Sequence, residues 1–186
     1  YEQSGQISKV GLKMYNKILR EAVDKSKGLM KAQTKDTNIV FNGDAFIDLK
    51  YIKNTQERIN YYQRLSLCSS IESVDTIKDE IVDRFGKMGE NTKNIINITK
   101  YKIMLTKIGS SKCVIDNENI LIKFDDNRTS FDGLGFIKKI NKTLSKSGFV
   151  HKITPEKKGV SVNVVLKKSG AGSIIKCIYR GVAQSV

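Results

Sequence analysis

Three observations predict an α+β fold, with a helical first half, then a small antiparallel sheet and packed helices in the second half. Between Asn54 and Ile108 apolar residues recur three and four apart, the period of helices with one buried face. After Gly109 the pattern changes to short apolar runs separated by polar turns, as in hairpin-connected strands. The hydrophobic fraction of 39% against a charged fraction of 28% supplies enough apolar material for a core. At 186 residues a single domain is the default, with two small lobes also fitting.

Gln6 to about Lys31 read as a long helix, its apolar stripe Ile7, Val10, Met14, Ile18 and Val23, its wet side Lys13, Lys17, Arg20 and Glu21. Gly28 and the polar stretch to Asp36 end it. Thr37 to Phe41 alternate as a strand does, and Asn42-Gly43-Asp44 is a turn signal. Ala45-Phe46-Ile47 and Tyr51-Ile52 are expected to tuck under the helices that follow.

Asn54 is the expected N-cap of the next helix, with Glu57 placed to reach back to the cap's amide. Ile59, Tyr62 and Leu65 are expected inward, with Arg58 one turn before Tyr62. Cys68-Ser69-Ser70 break the pattern, and Ser70 caps a second helix whose inward residues are Val74, Ile77, Ile81 and Phe85. Its opposite side carries Glu80, Asp83 and Arg84 as one polar patch, and Gly86 supplies the left-handed residue that closes the helix. Asn91 to Ile108 form a helix with apolar residues on more than one side, expected to be central. Cys113–Ile115 and Ile120–Phe124 flank Asp116-Asn117-Glu118-Asn119 as a hairpin. Phe131–Ser147 read as a helix with Phe136, Ile137, Ile140 and Leu144 inward. Phe149–Ile153 and Val160–Leu166 read as strands around Thr154-Pro155 and Lys157-Lys158-Gly159, and Ser173–Val182 as a closing helix.

Little in the chain points to catalysis. It has no Gly-x-x-x-x-Gly-Lys-Ser/Thr phosphate loop, and Gly133-Leu134-Gly135 lacks the third glycine of a dinucleotide site. His151 has no neighbouring nucleophile to serve, and Asp125-Asp126-Asn127 lacks a supporting cluster for a metal. Cys68, Cys113 and Cys177 are widely spaced, which indicates neither a disulfide framework nor a zinc site and fits a reducing cytoplasm. No apolar run approaches the roughly 20 residues that span a bilayer, and no secretory signal opens the chain. The chain begins at Tyr1, without methionine, as expected of a piece of a longer protein. The net charge of +14 invites a nucleic-acid reading. It rests on lysines scattered through a sequence heavy in Asn and Ile, a bias that an A+T-rich genome also produces.

Two groups of residues carry a resemblance. Arg58-x-x-x-Tyr62 followed by Glu80-x-x-Asp83-Arg84-Phe85-Gly86 resembles the C-terminal domain of bacterial transcription-repair coupling factor, Mfd. Glu2-Gln3-Ser4-Gly5-x-Ile7-x-x-Val10-Gly11-x-x-x-Tyr15 is similar to the junction where that family's ATP-driven DNA translocase motor meets its terminal domain. Together they cover roughly residues 2 to 112, and beyond Lys112 no motif is recognised. Two positions depart from the family: Asp48 and Gly89 stand where it usually has prolines.

The resemblance implies residues 1–31 as a connector helix after the motor and residues 32–186 as a regulatory domain, with a helical lobe over 32–111 and an α+β lobe over 112–186. It implies a non-catalytic, cytoplasmic fragment without cofactor or metal of its own, ATP and magnesium belonging to the motor of the full-length protein. The implied partner is a UvrB-like N-terminal module of the same polypeptide. Packing on it would hide the surface that recruits UvrA and restrain the motor until RNA polymerase is engaged on DNA. Glu80, Asp83 and Arg84 match positions implicated in that contact; Arg58, Tyr62, Phe85 and Gly86 are expected to be structural. Two other classes remain open, a nucleic-acid-binding module whose lysines meet the phosphate backbone, and an enzyme whose site the sequence does not reveal.

Overall fold

The computed structural model describes residues 36–125, 133–166 and 170–183. The expected connector helix, the Glu2–Tyr15 motif and Asp126-Asn127 lie outside the described residues. The described residues fall into two compact units, Gly43–Ile103 in one, and residues 36–42 with the described residues from Met104 onward in the other. The lobe boundary expected at 111/112 thus falls at Ile103/Met104, and the strand before residue 43 joins the second unit.

The first unit is helical. After a turn at Asp48 come α1 (Thr55–Ser66), α2 (Ile71–Phe85) and most of α3 (Glu90–Lys107). Asn54 caps α1 by accepting from the amide of Glu57, and Ser70 caps α2 by accepting from Ser73, so both predicted caps are present. Val74, Ile77 and Ile81 are the buried stripe of α2, as their spacing requires. On α1 the buried arc is Arg58, Tyr61, Tyr62 and Leu65. Ile59, expected inward, is only half-buried. Steps of three lag a 3.6-residue turn, so Ile59 and Leu65 fall on different faces. Asp48, at the position where the resemblance leads one to expect proline, organises a turn through its own hydrogen bonds. Its carboxylate accepts from the amide of Lys50 at 2.7 Å, an Asx turn, while its carbonyl accepts from Tyr51 and Ile52. Gly89 sits at the N-terminus of α3, where its carbonyl takes the amide of Lys93.

The second unit carries a five-stranded sheet of order β1-β2-β3-β5-β4, from β1 (Asn38–Phe41), β2 (Ser110–Ile115), β3 (Asn119–Phe124), β4 (His151–Glu156) and β5 (Gly159–Val165). The predicted hairpin is β2–β3, its turn organised by the Asp116 carboxylate accepting from the amides of Glu118 and Asn119. The sheet is not wholly antiparallel as expected. β1 pairs with β2 in parallel, Ile39 opposite Cys113 and Phe41 opposite Ile115. A parallel pair needs a long crossover between its strands, and here that crossover contains the helical stretch Gly43–Ile103. Thr154-Pro155, expected between strands, lies inside β4 at the sheet's edge, where proline's missing N–H costs no ladder bond.

One face of the sheet is apolar in register: Cys113, Ile122, Val162 and Ile153 form one cross-strand row, and Ile115, Ile120 and Val164 the next. Phe136 of α4 (Gly133–Lys146) meets Phe124 on this face edge-on, ring centroids 4.9 Å apart. The apolar stripe of α5 (Ala171–Ala183), Ile174, Ile175, Ile178 and Val182, is fully buried. Gly159 closes the β4–β5 hairpin at φ 118°, where any Cβ would lie 1.9 Å from the carbonyl oxygen of Phe124.

Candidate functional site

The polar patch predicted on α2 is built by two helices. Glu80 is forked by Arg64 of α1, with Nη1 to Oε1 at 2.8 Å and Nη2 to Oε2 at 2.5 Å. The Tyr61 hydroxyl, on the buried arc of α1, also donates to Glu80 Oε1 at 3.0 Å. Arg84 Nη1 donates to that same hydroxyl at 2.9 Å and its Nη2 to Glu57 Oε1 at 2.6 Å. The pair four residues apart within α2, Glu80 with Arg84, is the loosest contact of the group at 4.0 Å.

Glu57 has therefore another function than the reach-back to its cap: its carboxylate holds Arg84 across the helix pair. Asp83 is exposed and has no ion-pair partner among the described residues. The sequence reading missed Arg64, Tyr61 and Glu57. The signal available for Arg64 was its place three residues after Tyr61 and one before the buried Leu65, at the margin of the buried arc.

The electrostatics follow from these contacts. The Arg64 fork, with Tyr61 and the Arg64 and Arg84 charges behind it, holds the Glu80 carboxyl down at about 2. Arg64 is raised by the hydrogen bond to Glu80, and Arg84 by those to Glu57 and Tyr61. Tyr61 is raised first by burial, then by its bond to Glu80. The Arg84 side chain is nonetheless 48% exposed against 33% for Glu80, so the cation faces water and the carboxylate is half withdrawn.

The other motif residues stand inside the unit. Arg58 is buried, its Nη1 donating to the carbonyls of Ile52 and Lys53 and its Nη2 to Thr55 Oγ1. The Tyr62 hydroxyl accepts from the amide of Ile47 at 2.7 Å. Phe85 lies between the ring edges of Tyr51 and Tyr61, centroids 6.0 and 6.1 Å away. Gly86 closes α2 at φ 80°, ψ −157°. That is not the left-handed helical conformation expected but an extended positive-φ one, which only glycine adopts readily. Its carbonyl takes the Tyr51 hydroxyl at 2.6 Å.

A shallow groove of about 350 Å³ in the second unit is lined by Ile137, Lys138 and Asn141 of α4 and by His151, Ile153 and Pro155 of β4. Both ring nitrogens of His151 are engaged there, Nδ1 with the Phe149 carbonyl and Nε2 with the Asn141 side chain. The described residues contain no group of three or more His, Cys, Asp or Glu able to hold a metal ion. Among them no helix is long and apolar enough to cross a membrane.

The family model of the TRCF domain matches residues 41–132, the span that holds the two-helix patch with Arg58, Tyr62, Glu80, Asp83, Arg84, Phe85 and Gly86. The chain belongs to the TRCF-domain family. The transcription-repair-coupling factor of Rickettsia typhi is 29% identical over 170 residues, 90% of this chain and 15% of that protein. That of Helicobacter pylori strain J99 is 32% identical over 127 residues, 68% of this chain and 13% of that protein. The chain thus spans under a fifth of the length of these relatives. A crystal structure of the C-terminal domain of transcription-repair coupling factor shares the fold at a TM-score of 0.65, covering 81% of this chain and 98% of that one at 16% identity. The likeness therefore extends past the end of the matched TRCF domain.

Proposed function

We propose that this TRCF domain is the non-catalytic regulatory end of a transcription-repair coupling factor, and that it packs on a UvrB-like N-terminal module of its own polypeptide. That contact would mask UvrA recruitment and restrain an ATP-dependent DNA translocase. ATP and magnesium would act in the motor, and RNA polymerase and DNA would be reached through the full-length protein. The observation that carries the reading is the end of α2, where Asp83, exposed and without an ion-pair partner among the described residues, is followed in sequence by the exposed guanidinium of Arg84. Arginine forks onto carboxylates in a planar, two-bond geometry, which gives such a contact direction as well as energy.

The strength of the contact suits a latch. Exposed charge pairs contribute only about 0.2–1 kcal/mol each. Joined in one chain, the partners meet at an effective concentration near the millimolar range, so a weak contact closes and still releases. An interface of this kind opens more readily than a large apolar one.

Calorimetry of this chain against the isolated N-terminal module of its own full-length protein tests the reading, with duplex DNA as a control. Binding by wild type, lost when Glu80, Asp83 and Arg84 are all changed to alanine with the circular dichroism unchanged, supports it. Equal binding by the triple variant moves the contact elsewhere and overturns it. No binding to the module, with DNA affinity that falls steeply with salt, favours the lysine-based nucleic-acid module instead.

A further inference from the structure

Resting on that docking reading, we propose that Glu80 is a positioning residue, and that the docking contacts belong to Asp83 and Arg84. The surface they form fits a partner that presents a carboxylate beside a basic side chain. A carboxylate offers about four lone-pair directions. Three of those on Glu80 are taken, two by the Arg64 fork and one by the Tyr61 hydroxyl. A partner's arginine could fork onto Glu80 only by displacing Arg64, whose guanidinium also lies 5.4 Å over the Tyr61 ring.

What Glu80 does instead is orient a relay. Tyr61 has one hydroxyl hydrogen, and giving it to Glu80 turns the oxygen lone pairs toward Arg84 Nη1. The ring of Tyr61 is buried, so this oxygen is a fixed post. Glu57 holds Nη2 from the other side. Two of the five guanidinium N–H groups of Arg84 are thereby used, and three remain among the described residues for an incoming carboxylate. A guanidinium fixed before docking loses less freedom on binding, which is how Glu80 strengthens a contact it does not make. Asp83, next in the chain, supplies the opposite charge for the partner's base.

The test reads Arg84 directly. In the whole chain labelled with nitrogen-15, restricted rotation of the Arg84 guanidinium gives resolved Nη signals. Tyr61→Phe, which keeps the ring in the core, and Glu80→Gln should each average those signals and speed their hydrogen exchange, while Asp83→Asn leaves them unchanged. Arg84 signals unaltered in both Tyr61→Phe and Glu80→Gln overturn the positioning role. Against the N-terminal module, Tyr61→Phe should weaken binding about two- to tenfold, the worth of one hydrogen bond. The Tyr61→Phe/Glu80→Gln pair should weaken it no further than the stronger single change. Full binding by Tyr61→Phe with none by Glu80→Gln makes Glu80 a direct contact and sinks the proposal. If wild type does not bind the module, the docking reading and the partner assignment fail together. The Arg84 signals then still decide what Glu80 does.

Discussion

Glu80 gives the helical unit an acid sensitivity that belongs to one side chain. Its carboxyl lies at about 2 in the folded chain against 4.5 for a free one. A depressed carboxyl contributes stability above its unfolded value, and that contribution is lost as pH falls toward the folded one. The Glu80 contribution is therefore complete above about pH 4.5 and gone near pH 2. A third of the side chain is exposed, so water screens the pair and the loss is a fraction of what the shift alone would suggest. Urea midpoints of wild type should fall more steeply between those two pH values than midpoints of Glu80→Gln; parallel curves would show that the fork contributes nothing. Gly86 makes a second prediction at this scale. A Cβ there meets no atom, so the cost of Gly86→Ala is purely the backbone conformation, about 1–3 kcal/mol by denaturant unfolding. A smaller loss would mean that the chain relaxes at the end of α2.

At the scale of elements, Arg58 binds the start of α1 to the segment that precedes it. Arg58→Ala removes the donor from two carbonyls and a hydroxyl and should cost at least the penalty of one unsatisfied buried acceptor, about 1–3 kcal/mol. Arg58→Lys should recover only part of it, since one ammonium cannot reproduce the planar fork. Unfolding curves of the two variants that coincide with wild type would assign those carbonyls to solvent. How much of this was legible differs by element. Caps, the α2 stripe and the β2–β3 hairpin depend on neighbours a few residues apart, and Asn54, Ser70 and the Asp116 turn were all readable. The Arg64–Glu80 fork joins residues sixteen apart on separate helices, and its formation depends on the rotation of one helix against the other. No spacing rule encodes that. Glu57 misled for a related reason: its position suits a capping box, and only the packing of α2 alongside decides that its carboxylate turns to Arg84. The parallel pairing of β1 was hidden in the same way, since alternation reveals a strand but not its neighbour.

At the scale of the molecule, the two units differ in how the chain builds them. Among the described residues the helical unit is a single stretch, Gly43–Ile103, and it holds the whole of a buried cluster that runs from Ile47 and Ile52 through Tyr62, Leu65 and Ile81 to Ile103. A fragment of residues 43–107, which keeps α3 entire, carries its own core and should fold alone as a helical monomer with cooperative unfolding. The sheet unit is discontinuous. β1 reaches it from before the stretch Gly43–Ile103, pairing along β2 from Asn38 to Phe41, and Thr37 anchors it through Thr106 Oγ1 and the carbonyl of Ser110. A fragment of residues 104–186 lacks that strand, which bares the backbone edge of β2 beside Cys113 and Ile115. Bare edges recruit other strands, so this fragment should self-associate in light scattering as concentration rises. Adding residues 34–42 as a separate peptide should return it toward the monomer, because the peptide restores the parallel pairing. A monomeric 104–186 fragment indifferent to the peptide would show that β1 is an ornament of the sheet. A 43–107 fragment without cooperative unfolding would show that the helical unit needs the rest of the chain to fold.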